Sequence, residues 1–160
     1  MFSRIWAFIL SILISIFPGL GGNTQPKLDW EAAALVVLDA IKTRDIDAIE
    51  AFMCKNIKDN NPDLHDKIGA FIDAIEGEIV SLTKSPANGS GTYTSNGKIE
   101  KKISAWDIET TEASYSLTIR WEISNNYSFE ERGIRAFGLM KKTDGGWISC
   151  GVGIAAFEYN

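Results

Sequence analysis

An α+β domain, with three helices laid on one face of an antiparallel sheet of about five strands, is the fold the sequence predicts. Three observations lead to it. From Trp30 to Ile75 apolar residues recur three and four positions apart, the period of a helix with one buried stripe. After Gly77 that period falls to two, the spacing of a strand with one buried face. Near the end, Thr143-Asp144-Gly145-Gly146 has the composition of a hairpin turn between two alternating runs.

The elements follow in order. Asp29 is placed to cap a helix from about Trp30 to Lys42, with Trp30, Ala34, Val37, Leu38 and Ile41 on its stripe. Asp45 caps a second, whose buried positions are Ile46, Ile49, Phe52, Met53 and Ile57. Asn61-Pro62 starts a third: a capping side chain, then proline at the first helical position. Its stripe is Leu64, Ile68, Phe71, Ile72 and Ile75, and Gly77 ends it. Glu78 to Thr83 is a short strand, and Ser85 to Gly97 a polar, glycine-rich loop. Lys98 to Thr110 is a strand whose apolar side switches between Ile103 and Trp106, which predicts a bulge there. Tyr115, Leu117, Ile119, Trp121 and Ile123 alternate with polar residues in the clearest strand of the chain. Two more run from Ile134 to Lys142 and from Trp147 to Phe157.

With 160 residues, 45% of them hydrophobic, the chain is one domain's worth and needs neither metal nor disulfide to hold a core. Its net charge of -5 argues against nucleic acid, whose phosphates require a basic face. Two cysteines and one histidine do not furnish a four-ligand zinc site unless carboxylates join them.

The N-terminus predicts a compartment. Ile5 to Phe17 is an uncharged apolar run after Arg4, broken by Pro18-Gly19-Leu20-Gly21-Gly22. Residues 1–22 therefore read as a signal peptide or a membrane anchor, and 27–160 as a single exported domain, extracellular or at the cell surface. A helix from Met1 to Leu20 would span about 30 Å, enough to cross a bilayer.

Asp45, Ile49 and Phe52 in a D-x-x-x-I-x-x-F helix, followed by a long sheet ending in Asp144-Gly145-Gly146-Trp147-Ile148, carry a resemblance. The chain resembles the nuclear-transport-factor-2-like (cystatin-like) superfamily. From Trp30 to Lys142 it is more narrowly similar to an uncharacterised family of small exported bacterial domains, often lipoproteins, through its AIK-x-x-D-x-x-A-I helix pair and F-I-D-A-I-E-G-E-I-V. The lipoprotein members carry a cysteine after the apolar run, where this chain reads PGLGGN. The resemblance implies a cone, a bent sheet wrapped on helices around an open pocket. It also implies relatives that include isomerases and hydrolases with a buried Asp, His or Tyr, many non-enzymes, and pairing of two copies through their sheets.

An acid–base site needs a carboxylate against an apolar wall, which raises its pKa toward working pH. Asp107 and Glu109 on the long strand, and His65 at the edge of the third helix's stripe, are the candidate bases; Tyr115 with Asp107 is the one pair that resembles an isomerase site. No nucleophile elbow, P-loop or dinucleotide fingerprint occurs, and the glycines at 89, 91 and 97 sit between strands with no helix start to hold phosphate. The sequons at Asn88 and Asn126 carry no weight in a bacterial protein. The aromatics Trp106, Tyr115, Trp121, Phe137 and Trp147 are core or, if the sheet curves away from the helices, some are pocket lining (Trp106, Tyr115, Trp121 and Phe137), with Arg135 either meeting an anionic ligand or pairing with Glu122 or Glu131. Cys54 and Cys150 lie on a helix and a strand expected to pack, so a disulfide and two free thiols both stay open.

The expected function is that of a non-catalytic exported domain binding a small molecule, a peptide or an envelope protein, without cofactor or metal. It would touch the membrane through its N-terminal segment alone, with a homodimer as a further option. The alternatives are a small acid–base enzyme using the pocket, and an immunity or inhibitor protein whose acidic face blocks a basic partner.

Overall fold

The computed structural model describes residues 27–86, 92–95, 99–125 and 129–155. The N-terminal segment 1–22, the two sequons, the three loop glycines and Phe157 lie outside them. Among the described residues, no helix is long and apolar enough to cross a membrane.

The described residues are α+β, with four helices before the sheet. Helix α1, Trp30–Thr43, starts where Asp29 accepts a hydrogen bond from the Ala32 amide at 3.1 Å, and its expected stripe is buried from Ala34 to Ile41. Helix α2, Ile46–Ala51, is capped by Asp45 in the same way, at 3.0 Å from the Ala48 amide.

The second helix is split. Instead of continuing to Ile57 it stops at Phe52, and α3, Lys55–Asn60, begins after Cys54. In the gap the backbone pairs with a strand: Ile134 N donates to Phe52 O at 2.7 Å, and Cys54 N to Ile134 O at 3.1 Å. Those two bonds compete with the helical ladder and win, because Gly133 lets the chains touch. A Cβ on Gly133, whose φ is +138°, would sit 2.3 Å from the Phe52 carbonyl oxygen. Phe52, expected in the core, is consequently only partly buried, while Met53 and Ile57 are buried.

Helix α4, Leu64–Asp73, starts two residues later than Asn61-Pro62 indicates. The Asn61 side chain caps backwards, donating from its amide to Ile57 O at 2.8 Å, so it ends α3 rather than opening α4. The stripe Leu64, Ile68, Phe71, Ile72 and Ile75 is buried as expected.

Six strands follow among the described residues: β1 Ile79–Lys84, β2 Thr92–Ser95, β3 Ile99–Thr110, β4 Ser114–Asn125, β5 Gly133–Thr143 and β6 Gly146–Ala155. They form one antiparallel sheet in the order β1-β3-β4-β5-β6, and β2 pairs with β3 beyond the end of β1, so five strand positions are filled. Strand β2 lies inside the stretch expected to be loop. Its Thr-Tyr-Thr core favours a strand, but the Gly and Ser around it hide the signal.

The bulge expected between Ile103 and Trp106 is not there. The β3–β4 register runs unbroken from Lys101 opposite Glu122 to Glu109 opposite Ser114, and the irregularity falls instead between Glu100 and Lys101. Opposite residues share a face, so Tyr115, Leu117, Ile119 and Trp121 set the core side of β3 as Ile108, Trp106, Ser104 and Lys102. The apolar pattern misleads because one core position is a serine. Ser104 Oγ is fully buried and accepts from the indoles of Trp121 at 3.0 Å and Trp106 at 3.3 Å. At this end Lys102 and Lys84 place their ammonium groups 5.0 and 5.5 Å from the Trp30 ring centroid, sheltering the start of α1.

Candidate functional site

The aromatic residues expected to line a pocket mostly close one. Trp121, Tyr115 and Phe137 are buried, and only Trp106 is partly exposed. Phe137 stacks on Phe71 of α4 with ring centroids 5.0 Å apart, joining sheet to helix. The Tyr115 hydroxyl accepts from the Glu76 amide at 2.9 Å.

Arg135 takes the surface-pair alternative, though not at the surface. Its Nη1 donates to Glu122 Oε2 at 2.6 Å, and Glu122 is fully buried. The other carboxylate oxygen of Glu122 accepts from Asn125 Nδ2 at 2.6 Å. Glu131 stands 3.9 Å from the same guanidinium and accepts from the Asn56 amide at 3.3 Å. Burial works against the guanidinium charge, but the charge and hydrogen bond of Glu122 outweigh it and hold Arg135 above its ordinary pKa. Arg135 is thus a structural cation with its acceptor supplied from within the chain.

The candidate bases separate. Asp107 is opposite Ser116 and Glu109 opposite Ser114, on the face of the sheet away from the helices, and Ser114 donates to Glu109 at 2.6 Å. Tyr115 points to the core side, so it and Asp107 occupy opposite faces and make no pair. Without a bulge at Trp106, nothing turns Asp107 inward. His65 lies on the outside of α4, its Nδ1 3.3 Å from Glu50 Oε2 and 3.8 Å from Asp47 Oδ1.

Cys54 and Cys150 are free thiols. Cys54 bonds to Ile134, which is opposite Trp121, whereas Cys150 neighbours Lys141, opposite Tyr115. Six residues along β4 correspond to about 20 Å, far beyond the ~7 Å that a disulfide spans. Burial raises both thiol pKa values.

A cavity does exist, elsewhere. About 330 Å³ opens where the C-terminal ends of α1 and α4 meet the start of β1. Ile41, Ile72, Ile75 and Ile79 supply its apolar wall; Lys42, Arg44 and Glu78 supply its charges. None of the residues expected to line a pocket takes part. Arg44 is positioned by its backbone: it ends α1 in the left-handed conformation, φ +57°, and its guanidinium donates to Asp73 at 3.0 Å and to Ile75 O at 3.3 Å. Gly77 forms the cavity's edge at φ +79°, where a Cβ would press within 2.6 Å of Thr111 Oγ1. The sequence marks the ends of both helices but not that these ends meet, so the cavity has no local signal.

No curated protein matches the chain. A family model described as Domain of unknown function (DUF5104) matches residues 36–142, which fits the uncharacterised family that the sequence resembles. With the match running from the middle of α1 to the end of β5, over more than half of the 160 residues, the chain belongs to the DUF5104 family.

Proposed function

We propose that this chain is an exported, non-catalytic binding domain of nuclear-transport-factor-2-like architecture, targeted to the membrane by residues 1–22, whose ligand is a small amphipathic molecule bearing an acidic group. The observation that carries the reading is the cavity between α1, α4 and β1, with four isoleucines against two cations and one carboxylate. Its volume, about 330 Å³, is at the lower end of the range that small-molecule sites occupy. The isoleucines take the ligand's apolar body, and Lys42, which is exposed at the rim, takes its charge. The positions of Asp107, Glu109, Tyr115 and His65 favour binding over acid–base chemistry: none combines an apolar wall with a free carboxylate or imidazole. Helices before a single antiparallel sheet support the superfamily reading, and the apolar run after Arg4 supports export.

Two-dimensional NMR of the protein with a panel of small amphipathic acids, from octanoate to naphthalene sulfonate, tests it. Saturable shifts at Lys42, Arg44, Gly77 and Ile79, weakened tenfold or more by Lys42→Glu, are expected. Shifts confined to other residues, or no saturation with any acid, would discard the cavity as the ligand site.

A second reading has an observation of its own. Trp147 and Met140 are 45% and 40% exposed on the sheet face away from the helices, beside Ser149 and Lys142. Such a face suits a protein partner, including a second copy. Light scattering of wild type against Trp147→Ser tests it: a dimer lost in the variant supports the pairing, and a monomer in both removes a second copy as the partner.

A further inference from the structure

The only histidine of the chain sits between two carboxylates. Asp47 and Glu50 are three residues apart in α2 and so share a helix face. His65 is in the first turn of α4, held by its buried neighbours Leu64 and Ile68. The two helices are in contact, and Gly69 of α4 faces Ile46 of α2, where a Cβ would meet Ile46 Cδ1 at 3.5 Å, an ordinary van der Waals distance. One donor atom from each of the three side chains falls within 4.8 Å of the others.

We propose that Asp47, Glu50 and His65 form a binding site for a divalent transition ion of the zinc type. The geometry fits the ion. Bonds of about 2.0–2.1 Å in tetrahedral array place ligand atoms about 3.3 Å apart. His65 Nδ1 and Glu50 Oε2 are already 3.3 Å apart, and Nδ1 and Asp47 Oδ1 3.8 Å. Asp47, 91% exposed and at the helix surface, needs only a side-chain rotation to close the remaining gap. The donor set selects the class. One imidazole nitrogen with two carboxylate oxygens suits zinc and its neighbours, whereas calcium and magnesium take oxygen alone. Two carboxylates on one dication neutralise it, and the exposure of Asp47 and His65 leaves the fourth position to water. The site lies apart from the cavity, none of whose walls it shares. It therefore stands whether or not the cavity binds a ligand.

The test is a zinc titration of the full-length chain in non-ionic detergent, followed by calorimetry and by the ring resonances of the single histidine. One saturable site is expected, with the imidazole signals shifting in step with the heat. His65→Ala should weaken binding tenfold or more, Glu50→Gln should weaken it also, and magnesium should bind at least tenfold more weakly than zinc. Because Asp47 and His65 are exposed and Glu50 is only partly buried, circular dichroism of the variants should match wild type. Zinc binding that survives His65→Ala unchanged, imidazole signals that stay still, or equal affinity for magnesium would each overturn the site.

Discussion

Arg135 and Glu122 form an ion pair 2.6 Å long in which the carboxylate has no exposure to solvent. The pair joins β5 to β4 where the register between them shifts, at Arg120 and Trp121. A bulge leaves an extra residue on one strand, and here that residue is Arg135, aimed at the acid its neighbour buries. Asn125 covers the second carboxylate oxygen, so the buried charge is fully hydrogen-bonded.

Removing the cation should therefore be costly. Arg135→Ala leaves Glu122 buried and uncompensated, and is expected to lower stability by about 3–5 kcal/mol in urea unfolding. Arg135→Lys should recover only part of that, because an ammonium cannot reproduce the guanidinium's planar donors. A loss below about 1 kcal/mol for Arg135→Ala would show that Glu122 reaches water.

Ser104 and Trp121 give a second case. Ser104→Ala strands the buried Trp121 indole N–H, for an expected loss of about 1–3 kcal/mol. Trp121→Ala should cost about 3–5 kcal/mol through the cavity it opens. Phe52→Ala, at a partly buried position, should cost less than Trp121→Ala. Thermal unfolding of the three variants checks the order.

Gly133→Ala is expected to be among the most damaging single substitutions. The added methyl meets the Phe52 carbonyl oxygen at 2.3 Å, on a backbone whose φ of +138° side chains rarely adopt. Relief requires breaking the bridge between Met53 and Ile134, so amide exchange at Cys54 and Ile134 should accelerate before the rest of the core.

The thiols should behave as two separate groups. Intact mass after alkylation in denaturant, with no reductant, should show two labels. In the native state Cys150, only partly covered, should react before Cys54, which is buried. Burial holds the Cys54 thiol above its ordinary pKa, so folding favours the protonated form. Its contribution to stability is present below the unfolded value, near 8.5, and is lost as pH rises from there toward the folded value. Cys54→Ala should flatten that part of the stability profile above about pH 8.5.

The sequence by itself determined the class of fold, the caps at Asp29 and Asp45, the buried stripes of α1 and α4, the core face of β4 and the hairpin between β5 and β6. Each rests on periodicity or on a side chain bonding within a few residues of itself, and such signals are local. Tertiary structure decided the rest. Phe52 to Cys54 left the helix because a distant strand offered two hydrogen bonds and Gly133 allowed the approach. Asn61 turned back to Ile57 although its place before proline marks a helix start. Ser104 took a core position because two indoles on the same sheet face needed an acceptor. Asp107 stayed outside because the β3–β4 register, not the apolar pattern of one strand, assigns its face. The cavity and the Asp47, Glu50 and His65 cluster unite residues from separate elements, and their chemistry exists only where helix ends and faces meet. Spacing along a chain cannot encode that meeting, since it is fixed by packing between segments whose relative positions no local pattern sets.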